Sequence, residues 1–149
     1  MSASFTIRNV RPTDRAGWDA LWAGYLAFYE SELPAEVTET TWRRFFDNDE
    51  PMQAFVAADR TSGELLGFVH MVFHRGTWAI GDFCYLEDLF VAEKARGHGI
   101  ARALIEAVYE EADERGCERV YWLTHETNAT ARALYDKVAK HRRFIQYQR

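Results

Sequence analysis

The stretch 85–124 constrains this chain more than any other. Tyr85-Leu86-Glu87-Asp88-Leu89-Phe90-Val91 is an apolar run of strand length, broken only by two adjacent acids. Ile100, Leu104, Ile105, Val108, Tyr109 and Ala112 then recur at helical spacing over about 99–115, and a second strand pattern covers Arg119–Thr124. A strand, a turn, a helix and a strand of these lengths make a βαβ unit with parallel strands. Gly116 is placed to close the helix in a left-handed cap. Glu106, Glu110, Glu111, Asp113 and Glu114 read as the helix's solvated face.

The remaining segments surround that unit. Phe5–Val10 reads as a strand. Thr13 or Asp14, after Pro12, can cap a helix carrying Trp18, Leu21, Trp22, Tyr25, Leu26 and Tyr29. Thr40–Phe46 reads as a second helix. Gln53–Ala58 and Leu65–His74 read as a hairpin turning at Ser62-Gly63. Asn128–Ala139 is a last helix and Phe144–Tyr147 a last short strand. The order is β-α-α-β-β-β-α-β-α-β, an α/β chain. Its 149 residues, 48% of them apolar, fit one domain over 1–149.

Charge and composition remove several functions. A net charge of −5 argues against nucleic-acid binding, which needs a basic patch. No apolar run approaches a membrane span and no charged-then-apolar leader is seen, so a soluble, cytoplasmic protein is expected. Cys84 and Cys117, each in an apolar run, read as reduced thiols. His70 and His74 share a strand and lie about 13 Å apart at ~3.3 Å per residue, too far for one metal ion. No metal is expected.

Three places carry candidate chemistry. Arg96-Gly97-His98-Gly99-Ile100-Ala101 joins the strand to the long helix. Glycines there let backbone N–H groups approach an anion, and the helix N-terminus adds positive potential. Lys94, Arg96 and Arg102 add charge, suited to a pyrophosphate; plain turn-making is the other reading. The loop lacks the pattern of a P-loop and the third glycine of a dinucleotide fingerprint. Glu87 and Asp88 interrupt a buried strand, where carboxylates need partners or a task. Successive strand residues face opposite ways, so the two do not form a side-by-side pair unless a bulge re-aims one. Asn128 and Tyr135 lie seven apart, two turns of one helix face. Asn128 also fits a plain cap, and Tyr135 a core aromatic.

Arg-x-x-Gly-x-Ala at 96–101, between strand and helix, resembles the acetyl-CoA signature of the GNAT superfamily of N-acetyltransferases. Leu86-Glu87-Asp88-x-Phe90-Val91 and Asn128-x-x-Ala131-x-x-Leu134-Tyr135 are similar to that family's spermidine/spermine and Hpa2-like histone and polyamine branch. The resemblance implies a GNAT fold over nearly the whole chain. It implies that Arg96, Gly97, His98, Gly99, Ile100, Ala101 and Arg102 hold the coenzyme pyrophosphate. It further implies that amides of Leu89, Phe90 and Val91 meet the pantetheine and thioester, and that Asn128 and Ala131 contact coenzyme A. Glu87 would be the base and Tyr135 the acid that protonates the leaving thiolate. Tyr29, Glu30, Trp78, Glu87 and Asp88 would line the acceptor site, with Glu32, Glu36 and Glu39 at its border. The acceptor implied is a polyamine, diamine or lysine-like amine, with an amino acid or protein lysine as the second choice. A non-catalytic acetyl-CoA-binding module is the reading from another class. A homodimer is expected. Lys140-His141-Arg142-Arg143 departs from relatives that often carry a glycine before the last strand.

Overall fold

A computed structural model describes residues 4–149. Five strands form one sheet in the order β1 (Phe5–Asn9), β2 (Met52–Asp59), β3 (Leu65–His74), β4 (Phe83–Val91) and β5 (Arg119–Tyr121). The first four are antiparallel neighbours, and β4 and β5 are parallel. The β2–β3 turn is the expected one. Asp59 accepts the N–H groups of Thr61 and Ser62 at 2.8 Å each, and Gly63 takes φ +78°.

Helices α1 (Arg15–Phe28) and α2 (Ala35–Arg44) cover one face of the sheet. Trp18, Leu21, Trp22 and Trp42 pack there on Val56 and Phe68, with Phe45 beside them. A 3-10 turn at Pro12–Asp14 leads into α1. Asp14 fastens that entry by accepting from the Arg8 guanidinium (2.8 and 3.0 Å) and the Arg11 N–H (2.8 Å). Helices α3 (Ile100–Glu114) and α4 (Ala129–Val138) lie over the other face. Leu104, Ile105 and Val108 of α3 are fully buried against Val69, Met71, Cys84 and Leu86. Tyr109 ties the two helices by donating to the Val138 carbonyl (2.8 Å).

Two expectations fail at the C-terminal end. β5 stops at Tyr121 rather than Thr124, because Trp122 turns to pack between Tyr109 and Tyr135, at ring-centroid distances of 6.4 and 5.3 Å. The strand expected at Phe144–Tyr147 does not form. Four basic or polar residues follow α4 with no turn glycine, and Phe144, Ile145 and Tyr147 stand exposed without a partner strand. Cys84 and Cys117 are both free thiols, and burial pushes the Cys84 thiol up to about 12.

Candidate active site

The early end of β5 creates the site's main feature. β4 runs for nine residues, but β5 pairs only with Phe83, Cys84 and Tyr85. Beyond Tyr85 the β4 edge facing β5 is open; Leu89 and Val91 turn their N–H groups to it, whereas Phe90, in register with Phe68 and two residues before Ala92, whose N–H donates to Leu66, turns its N–H toward β3. β4 is followed by a 3-10 turn at Glu93–Ala95 and by the exposed loop 96–99.

Gly97 and Gly99 adopt φ +83° and +82°, the left-handed region. Nothing lies within 4 Å of a Cβ built on either, so conformation and not space demands glycine. The Ala103 N–H donates to the Gly99 carbonyl as the first turn of α3. The N–H groups of Ile100, Ala101 and Arg102 precede that bond and have no carbonyl within the helix. Arg96 folds back on β4: its Nε–H donates to the Val91 carbonyl (3.1 Å), and its guanidinium lies 5.7 Å from the Phe90 ring centre. Lys94 is engaged with Glu64, and Arg102 with Glu106 at 3.0 Å. A diphosphate fits the loop's donor set: consecutive backbone N–H groups, a helix N-terminus and the adjacent His98.

A bulge resolves the question of the two acids. His70 of β3 faces Asp88, whereas Met71 faces Leu86, so Glu87 is the extra residue. The bulge turns both carboxylates toward α1. Glu87 and Asp88 line one cavity of about 440 Å³ with Trp22, Tyr25 and Tyr29 of α1 and its C-terminal end. Asp88 is anchored there. The Tyr25 hydroxyl donates to its Oδ1 (2.6 Å), and His70 Nδ1 lies 2.9 Å from its Oδ2. Glu87 lies at the solvent side. Burial raises its pKa first and the Asp88 charge second, while Tyr85 partly offsets them by hydrogen bonding.

Asn128 caps α4, its side chain accepting the Ala131 N–H at 3.4 Å. Seven residues on, Tyr135 lies half-buried and edge-on to Trp122, its hydroxyl pushed up to about 12, by burial first and Tyr29 second. It therefore holds its proton throughout the neutral range.

Two expected residues stand apart from this cavity. Trp78 projects from the loop between β3 and β4, 88% exposed, and is not among the cavity's lining residues. Glu30 closes α1 at φ +51°, outside the lining as well. Glu39 is paired with Arg15 at 2.8 Å in a separate cleft between α1 and α2. Conversely, Tyr25, His70 and Trp22 enter the site without having been singled out for it. Tyr25 was legible as one turn before Tyr29. His70 stands between Val69 and Met71 inside an apolar strand, a polar side chain that the strand pattern marks as needing partners. Among the described residues no group of three or more His, Cys, Asp or Glu side chains could hold a metal. No described helix is long and apolar enough to cross a membrane.

Residues 18–139 match the family model described as Acetyltransferase (GNAT) family. This chain is a GNAT acetyltransferase. It is 38% identical over 143 residues to the D-amino-acid N-acetyltransferase HPA3 of Saccharomyces cerevisiae, covering 96% of this chain and 89% of that one. Over 62 residues, 42% of this chain and 38% of the relative, it is 37% identical to a thialysine N-epsilon-acetyltransferase of Caenorhabditis elegans. A structure of AAC(6')-Iy in complex with a bisubstrate analog superposes with a TM-score of 0.82 at 19% identity, over 97% of each chain. A probable acetyltransferase superposes at 0.83 and 20% identity, over 96% and 95% of the chains. These two establish the fold alone. The acetyltransferase uses acetyl-CoA as acetyl donor and an amine as acceptor.

Proposed function

We propose that this acetyltransferase, a single domain over 1–149, acetylates the primary amine of a small cationic acceptor by direct transfer. The observation that carries the reading is the composition of the cavity at the β4 bulge. Two carboxylates sit among the aromatic rings of Trp22, Tyr25 and Tyr29, and none of its lining residues is Lys or Arg. Such a pocket suits an ammonium group through charge and cation–π attraction. It supplies no counter-charge for a carboxylate next to that amine. The favoured acceptors are therefore a polyamine, a diamine or the side-chain amine of a lysine-like molecule.

In this reading Glu87 takes one proton from the bound ammonium, through water or directly. The freed nitrogen pair attacks the thioester carbon. The carbonyl oxygen is held by the β4 N–H groups on the open edge, at Leu89 and Val91, with Phe90 between them packing beside the coenzyme. The carbon–sulfur bond then breaks, Tyr135 gives its proton to the departing thiolate, and the second nitrogen proton leaves to solvent. The loop Arg96–Arg102 holds the pyrophosphate, and Asn128 with Ala131 borders the coenzyme. Asp88 and Tyr29, both lining the cavity, orient the acceptor.

The similarity to a D-amino-acid enzyme favours a second reading, an amino acid acetylated at its α-amine. Thiol release from acetyl-CoA with diamines, triamines, thialysine and D- and L-amino acids separates the two. Higher kcat/KM for amines lacking a neighbouring carboxylate supports the first. Preference for free D-amino acids overturns it, and tight coenzyme binding without thiol release for any amine would mark a binding module. We read the protein as cytoplasmic and homodimeric, supported by its two free thiols and by exposed Ile80, Leu123, Phe144, Ile145 and Tyr147.

A further inference from the structure

His70 is the one described polar residue buried in the core, 2% exposed. Its ring lies against Phe68 (4.4 Å between centres) and Phe45 (4.7 Å). Both ring nitrogens are spoken for. The Trp18 indole N–H points at Nε2 at 3.0 Å, and Asp88 Oδ2 lies 2.9 Å from Nδ1. An indole nitrogen can only donate, so Nε2 accepts and carries no hydrogen. The single imidazole hydrogen then lies on Nδ1 and is donated to Asp88. A buried tryptophan thus selects the tautomer of a buried histidine, which in turn grips a carboxylate.

The consequence reaches the acceptor pocket. Asp88 receives one hydrogen bond from His70 and one from Tyr25, so both of its oxygens are occupied by donors. Glu87, its neighbour in the bulge, has the Tyr85 hydroxyl as partner and no contact with His70 or Tyr25 of this kind. We propose that His70 is a positioning residue that divides the labour of the two acids. By donating to Asp88 it holds that carboxylate in place to orient the ammonium, and leaves Glu87 as the carboxylate that exchanges protons. This rests on the reading of Glu87 as the base. The groups facing the acid pair are His70 from β3, Tyr25 and Tyr29 from α1, Tyr85 from β4 and Tyr121 from β5. All the tyrosines among them have raised pKa values, burial being the first cause in each, and stay neutral near pH 7. These tyrosines therefore add no charge of their own beside the pair.

The first test is nitrogen-15 NMR of the imidazole in the whole protein. Hydrogen on Nδ1 with a bare Nε2 is the expected result; hydrogen on Nε2 overturns the assignment. The second test is kinetic. Asp88→Asn removes the fixed charge, so the acid limb of kcat/KM should move down by about one pH unit, the scale of a neighbouring like charge. His70→Phe should cut kcat about tenfold or more with acetyl-CoA affinity unchanged, and His70→Asn, which retains a donor near the Nδ1 position, should recover most of it. An unmoved limb in Asp88→Asn, or wild-type turnover in folded His70→Phe, would overturn the proposal. If His70→Phe does not fold, the NMR result and His70→Asn still decide. If the wild-type enzyme releases no thiol with any amine, the reading of the site fails, and the tautomer measurement alone judges the His70 contact.

Discussion

Tyr135 and Glu87 are perturbed in the same direction, with different consequences. Burial holds the proton on Tyr135 to about 12, which makes it a donor ready at neutral pH. Removing that donor in Tyr135→Phe should lower kcat by about 10²- to 10⁴-fold, the usual range for a general acid, with the acetyl-CoA dissociation constant unchanged. Calorimetry beside steady-state kinetics checks both halves. Glu87 binds its proton more tightly folded than unfolded. Between the unfolded and folded pKa the folded state carries more protons, so stability falls as pH rises through that window. Above it the ionised group opposes folding. Glu87→Gln should therefore lose activity while melting slightly higher at pH 7, and the gain should vanish below the unfolded carboxylate range. A melting series across pH checks the sign. Two carboxylates side by side in one strand were legible as a chemical anomaly. Their shared direction was not, because a bulge depends on the register of the partner strand, and a one-residue slip against β3 leaves no mark in β4 itself.

At the scale of elements, the turn into α3 and the end of α1 make opposite use of left-handed backbone. Gly97→Ala and Gly99→Ala place a side chain at φ +83° and +82°. Each should cost about 1–2 kcal/mol by conformational strain, since the surrounding space is open. Each should also weaken acetyl-CoA binding, because the amides that face the diphosphate shift with the turn. Both α1 and α3 end in a Schellman arrangement. In α3 the Gly116 N–H bonds Asp113 and the Cys117 N–H bonds Ala112; in α1 the Glu30 N–H bonds Ala27 and the Ser31 N–H bonds Leu26. Glycine holds the left-handed position in α3, whereas in α1 it is Glu30. Glu30→Gly should stabilise the fold by about 1 kcal/mol in denaturant titration. The hairpin, the parallel unit and helices α1, α3 and α4 were legible from spacing and turn residues, whereas α2, expected at Thr40–Phe46, runs over Ala35–Arg44 and starts directly after Pro34. The length of β5 and the absent last strand were not. Pairing there is decided by where Trp122 packs and by whether a turn follows α4, and hydrophobic alternation carries neither.

At the scale of the whole molecule, the aromatic residues link stability, site and assembly. Tyr25, Tyr29, Tyr85, Tyr109, Tyr121 and Tyr135 all have raised pKa values, with burial the first cause in each. Unfolded tyrosines lose their protons near pH 10 while the folded ones keep them, so stability should fall steeply as pH rises from about 10 to 12. A melting temperature that stays level across that range would contradict the burial described. The central claim is that the loop 97–102 and the open edge of β4 hold acetyl-CoA through main-chain N–H groups. Titrating the uniformly nitrogen-15-labelled protein with acetyl-CoA and following every backbone amide tests it most directly. The account predicts the largest shifts at residues 97–102 and 89–91, saturating together; shifts confined to other surfaces, or none at saturating coenzyme, would contradict it.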